Sequence, residues 1–205
     1  MLWKRTEDSR ASIANSLYLT LTAALGARGK GKDDPYTNHA QSAWAWIQKS
    51  GVIRSDGLVS DGIAADCTID EAIYMYNQGQ LISGLVELYH VTEDQSVLDA
   101  AIKIGDAMTS RPDTIRDGIL GEECNFNNNC DSTRNAFMPS AVRGLANLNR
   151  VTNGRYTKIL KQNMKSAMDN DRDPLNMYGV GFAGPMANPY VGPQAAALEL
   201  LVSLM

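Results

Sequence analysis

The residues best equipped for chemistry in this chain are amides, carboxylates and phenols. Tyr76-Asn77-Gln78 places three such side chains in a row. Asn and Gln donate and accept at once, which matches vicinal hydroxyl groups, and a tyrosine ring can pack on the face of a pyranose. The same amide pair suits capping a helix or tying loops together. Asp61-Gly62 reads by itself as a turn, and Asp131 as a helix cap or a cleft carboxylate. Asp33-Asp34 is the one Asp-Asp pair in the chain. It precedes Pro35, so Asp34 reads as an N-cap with proline at the first helical position. Metal and triad chemistry find little material: His39 and His90 stand far apart, and there are three cysteines. No metal or cofactor is expected, and both histidines are expected at the surface or in packing. Trp44 and Trp46 point to opposite sides of one helix, so at most one lines a cleft. Phe137 is expected in the core.

The frame that must hold these residues is 205 residues long, with 44% hydrophobic and 20% charged residues. That suits one globular domain, or part of a larger one, and argues against wholesale disorder. The net charge is −4 and no basic stripe is visible, so nucleic acid is not an expected partner. No apolar run approaches the roughly 18–20 residues that span a bilayer. The opening Met1-Leu2-Trp3-Lys4-Arg5-Thr6-Glu7-Asp8 lacks the apolar stretch of a secretory leader. Read literally the chain is cytosolic; read as a fragment it starts in the middle of a domain.

The periodicity gives helices and little else. Ser9 or Ser12 caps a helix to about Leu25, with Ile13, Leu17 and Leu21 at spacing four. Asp34-Pro35 opens a second helix to about Lys49. A third spans about Asp70 to His90 and a fourth about Asp94 to Met108. Two more cover roughly 133–150 and 154–169, and a last one 191–204. Long loops are expected at 51–69, 110–131 and 170–190, and convincing alternating strands are absent. A repeat organises the pattern: Leu88-Tyr89-His90-Val91-Thr92 matches Leu148-Asn149-Arg150-Val151-Thr152, 60 residues on. Each copy is a helix end and a tight turn. Helical hairpins with short turns on one side and long loops on the other imply an all-α toroid or solenoid, with its long loops gathered at one end.

Against that background Tyr76-Asn77-Gln78-Gly79, followed by Leu85-Val86-Glu87-Leu88-Tyr89, resembles the signature of glycoside hydrolase family 76. Ile13-Ala14-Asn15, Val59-Ser60-Asp61-Gly62-Ile63, Asp117-Gly118-Ile119-Leu120, Asp131, Phe137, Arg143, Asn170-Asp171-Arg172-Asp173-Pro174 and Ala183-Gly184-Pro185 follow in the family's order. The Cys124…Cys130-Asp131 segment is similar to the fungal branch. The resemblance implies α-1,6-mannanase activity on α-mannan or a mannosyl glycan, in a secreted or cell-wall setting. It implies an (α/α)6 barrel, of which this chain carries the C-terminal part, incomplete. It also implies that Asp61 faces the substrate sugar, with Tyr76, Asn77, Gln78 and Asp131 as further binding residues.

The family's catalytic pair is two adjacent aspartates on an earlier inner helix, so no catalytic residue is identified here, and Asp33-Asp34 lies in the wrong hairpin. Retaining hydrolysis needs two carboxylates about 5–5.5 Å apart. The chain by itself is therefore expected to be inactive. It is also expected to expose the apolar faces of helices 9–25 and 70–90. Competing readings are a non-catalytic glycan-binding or scaffold remnant, or another sugar-active α/α-toroid enzyme; an epimerase would want paired histidines. After Phe137 this chain has Met138-Pro139 where the family carries Lys-Gly. That helix therefore starts near Phe137 or is kinked. The cysteine spacing suits a Cys124–Cys130 disulfide around a short polar loop, with Cys67 left over; three reduced thiols in a cytosolic chain are the alternative.

Overall fold

The computed structural model describes residues 1–2 and 6–204. Seven long helices carry the fold: α1 (Ser12–Arg28), α2 (Pro35–Ser50), α3 (Met75–Thr92), α4 (Gln95–Met108), α6 (Met138–Val151), α7 (Thr157–Asn170) and α8 (Val191–Val202), with a single-turn α5 (Glu123–Phe126) between α4 and α6. Helices α1, α3, α6 and α8 stand side by side in that order, with α2 and α4 packed outside them. This is an arc of an α/α toroid, with its core between the two ranks.

Local chemistry sets most helix ends. Asp34 caps α2 as expected, its Oδ1 accepting from the Tyr36 amide at 2.9 Å. Asp94 does the same for α4, from Ser96. The repeated helix ends are alike in detail: Thr92 Oγ1 donates to the Leu88 carbonyl and Thr152 Oγ1 to the Leu148 carbonyl, both at 2.7 Å. Helix α6 starts at Met138, with Pro139 in its first turn, where proline costs no hydrogen bond. Side by side, α3 and α6 touch through Gly79 and Gly144. A Cβ on Gly79 would lie 2.1 Å from the Ser140 carbonyl oxygen, and one on Gly144 2.2 Å from that of Gly79. Only two glycines allow the helices to meet that closely.

Two expectations need correcting. Strands are present: β2 (Ser60–Ile63) and β3 (Ile69–Ile73) form an antiparallel hairpin, edged by β1 (Arg10–Ala11). Its turn is built by Asp66, which accepts from the Thr68 amide and hydroxyl, and by Cys67 in the left-handed region. Helix α3 therefore starts at Met75 and not at Asp70, because Asp70 pairs with Gly62 across the hairpin. A second hairpin, β4 (Ile115–Arg116) with β5 (Ile119–Leu120), turns at Asp117-Gly118, both with positive φ.

The long loops touch one another in sequence. Glu122 reaches the start of α3, Asn125 Nδ2 donates to the Val180 carbonyl at 2.6 Å, and Asn188 Nδ2 to the Asn128 carbonyl at 3.2 Å. The tight turns at 29–34 and 152–156 join the other helix ends. Trp44 is buried and Trp46 half-buried, on opposite sides of α2; His39 and His90 are both exposed.

Candidate functional site

The hairpin and the head of α3 bring three of the sequence-predicted residues together. Asp61, on β2, receives two hydrogen bonds on Oδ1: from the Tyr76 hydroxyl at 2.7 Å and from Asn77 Nδ2 at 2.8 Å. Its Oδ2 carries no hydrogen bond among the described residues and is free to accept from a ligand. Asn77 is fully buried, and its Oδ1 has no partner among the described residues. Burial, and then the Asp61 carboxylate, push the Tyr76 phenol well above its ordinary range, so it stays a donor at any working pH. Asp61 and Tyr76 line a cleft of about 300 Å³ with Ile13, Ile63 and Asp70.

An aromatic wall flanks this cleft. Tyr74 and Tyr76 stack with ring centroids 5.7 Å apart, and Phe137 packs against both, at 5.5 and 4.2 Å. Phe137 is thus half-buried at the site and not in the core. The reason is that α6 starts only at Met138, which leaves Phe137 at the loop end of the fold.

The other two predicted residues hold structure. Gln78 is fully buried: its Oε1 accepts from the Val59 amide at 2.8 Å, and its Nε2 donates to the Val59 and Tyr74 carbonyls. It ties the loop before β2 to α3, the second of the two roles open to it. Asp131 is exposed and accepts from the Thr133 and Arg134 amides and from Arg134 Nε. It braces the start of the 3-10 turn Arg134–Ala136, and the Arg134 bonds hold its carboxyl below the usual range. Asp33-Asp34 lies at the opposite, short-turn end.

Two buried acids lie outside the predicted site residues. Burial pushes Glu122 up to about 7, although the Met75 amide and Arg134 pull the other way. Asp171 is wholly buried, neither carboxylate oxygen makes a regular hydrogen bond, and burial pushes it up to about 7 as well. Gly121-Glu122-x-x-Asn125 does carry a signal: Glu122 and Asn125 exchange side-chain-to-backbone bonds as a capping box. Asp171 falls in the 170–174 segment of the family resemblance, but nothing in that segment marks it as buried. Cys124 and Cys130 are disulfide-bonded, with Cα atoms 4.6 Å apart, and Cys67 is free and exposed. Among the described residues no three His, Cys, Asp or Glu side chains gather as a metal set. No helix among them is long and apolar enough to cross a membrane.

Paired helices under a loop-built polar and aromatic cleft define an α/α-toroid protein. The chain belongs to glycosyl hydrolase family 76, whose model matches residues 1–205. It is 28% identical over 142 residues to mannan endo-1,6-alpha-mannosidase DCW1 of Candida albicans, a stretch covering 66% of this chain and 31% of that protein. Two solved structures share the fold. Dfg5 from Chaetomium thermophilum in complex with glucosamine aligns with a TM-score of 0.83 at 21% identity, over 96% of this chain and 52% of that one. An α-1,6-mannanase of Salegentibacter sp. HEL1_6, inactivated by replacing two neighbouring aspartates and bound to α-1,6-mannotetrose, aligns at 0.86 and 17% identity over 99% and 61%. The chain thus spans about a third of the curated relative and little more than half of these structures.

Proposed function

We propose that this chain is the C-terminal, cleft-forming part of a family 76 glycoside hydrolase domain acting on α-1,6-mannan. The observation that carries this reading is the Asp61 carboxylate, oriented by Tyr76 and Asn77 and left with Oδ2 free. A carboxylate so held accepts from two sugar hydroxyls. The Tyr74–Tyr76–Phe137 wall offers a pyranose an apolar face. Gln78 holds the loop that carries Asp61.

Within this chain the residues bind and orient; the paired carboxylates of retaining hydrolysis are not among them. The double-aspartate inactivation of the Salegentibacter enzyme supports placing that pair elsewhere in the domain. The Cys124–Cys130 bond favours an oxidising, cell-surface or secreted setting.

The test is calorimetric titration of residues 1–205 with α-1,6-mannotriose, beside an assay of reducing-end release from linear α-1,6-mannan. Saccharide binding without turnover is expected. Asp61→Ala should weaken binding about 10- to 100-fold, the loss of charged hydrogen bonds. Binding untouched by Asp61→Ala, or turnover by the purified chain, would overturn the assignment.

A further inference from the structure

Helix α3 begins without a cap of its own. Tyr74, the residue ahead of it, makes no side-chain bond to the first turn. The missing acceptor comes from 47 residues away: the Glu122 carboxylate accepts from the Met75 amide at 2.6 Å. Glu122 is 6% exposed, and Met75 beside it is fully buried. In return for the Asn125 amide, Glu122 donates its own N–H to Asn125 Oδ1 at 2.8 Å. Asn125 Nδ2 then reaches the Val180 carbonyl. One acid therefore joins the head of α3, the Cys124–Cys130 loop and the 171–190 loop. The next two residues after Met75 are the ones that orient Asp61.

We infer that Glu122 is a positioning residue of the cleft: its buried carboxylate clamps the first turn of α3 onto the Cys124–Cys130 loop and so fixes where Tyr76 and Asn77 point. The inference rests on the saccharide-binding reading only for its effect on affinity; the clamp itself does not depend on it.

The clamp is pH-sensitive by construction. A charged carboxylate suits amide donors at a helix N-terminus, but burying it costs more than those donors return, so the clamped position favours the neutral acid. Burial places the protonation of Glu122 near neutrality, at about 7. Arg134 from the 3-10 turn favours its charged form, and Asp131 ahead of that turn opposes it. Tyr74 and Glu71 face the same cavity from the hairpin side, with Arg54 beside them, and Arg116, Asp113 and Glu123 from Glu122's own loop. Arg54 is paired with Asp56 and Glu71, Arg116 with Glu123 and Arg134 with Asp131; of the three, Arg134 is the cation that acts on Glu122. The clamp should therefore hold below neutrality and loosen as pH rises through it.

The experiment is an NMR titration of the 205-residue chain from pH 5 to 8.5, reading the Met75 backbone amide and the Asn77 side-chain amide. Both should move with one midpoint near 7, in the wild type and in Asp171→Asn, and both should be flat in Glu122→Gln. A merely structural Glu122 would move Met75 alone. In parallel, the affinity for α-1,6-mannotriose should fall about fivefold as pH rises across the same midpoint, as the ionised Glu122 carboxylate leaves its buried position. The wild-type titration needs no variant, so the inference is tested even if Glu122→Gln folds poorly. An Asn77 signal that ignores the Met75 transition overturns the clamp. A shared transition with no mannotriose binding leaves the clamp standing and removes the saccharide reading.

Discussion

Helices α1 and α3 are neighbours of almost equal length, 17 and 18 residues, yet they meet solvent differently. Helix α3 is covered by α1 on one side, α6 on the other and α4 outside; Leu81, Ile82, Leu85 and Leu88 are buried. Helix α1 buries Leu19 and Ala23 against α3 and leaves Leu17, Leu21 and Leu25 at 51%, 60% and 39% exposure. Both had been expected to show apolar faces. That holds for α1 and fails for α3, because α3 has a partner from this chain on each flank. Composition does not separate the two helices; place in the arc does. At the far edge α8 repeats the pattern, with Leu198 and Val202 exposed.

The largest effects should come from α3. Leu85→Ala should cost about 2–5 kcal/mol in urea unfolding, since a buried leucine leaves a cavity its packed neighbours cannot close. Gly79→Ala should cost about 1–3 kcal/mol or more, because the added Cβ meets the Ser140 backbone and forces α3 away from α6. A loss below about 1 kcal/mol for Leu85→Ala would show that α3 is not the covered member of the pair.

A second contrast lies at the helix heads. Helix α3 is held by a buried acid, whereas at the start of α1 Ser12 Oγ donates to the Ser60 carbonyl, a neutral bond. Glu122 and Asp171 both protonate near 7 in the folded chain, above their ordinary values of 4.5 and 3.8. The folded state therefore binds protons that the unfolded state has released. The stability this contributes is fully present below the unfolded values and is lost as pH rises through about 7. The chain should unfold more readily at pH 8 than at pH 5, by about 2–3 kcal/mol for each acid. Glu122→Gln and Asp171→Asn should each remove part of that slope. A wild-type stability that is flat or rising between pH 5 and 8 would contradict the burial of both groups.

These differences explain what could be read in advance. Asp34, Asp94 and the Thr92 and Thr152 helix ends act within a few residues, so local sequence sufficed for them. Helix α3 starts five residues late because Asp70 pairs with Gly62 across a hairpin turn, a contact its own neighbours do not announce. Asp61, Tyr76 and Asn77 stood out through their resemblance to a family pattern; that one carboxylate oxygen accepts from both partners is geometry. Glu122 acquires its role only when the loop after β5 folds back on Met75. Phe137 read as core by its hydrophobicity and became part of the site wall because a proline fixes the start of α6 just beyond it.

The smallest effect on folding is expected on α1. Leu17, Leu21 and Leu25 are spaced four apart and line one face of the helix. Their side chains are already partly in water, so replacing them with serine gives up little burial; each change should stay within about 0.5 kcal/mol. Their cost to the chain is of another kind. An exposed apolar stripe at the edge of an arc is a surface that a second molecule can cover, at roughly 25 cal/mol for each Å² removed from water. The triple variant Leu17→Ser/Leu21→Ser/Leu25→Ser should therefore unfold at nearly the wild-type urea midpoint while associating less in sedimentation velocity across a concentration series. A triple variant that unfolds several molar earlier would mean that these leucines are core, and that α1 is as enclosed as α3. Unchanged association would move the self-association surface to the other edge of the arc, where Leu198 and Val202 on α8 become the residues to replace.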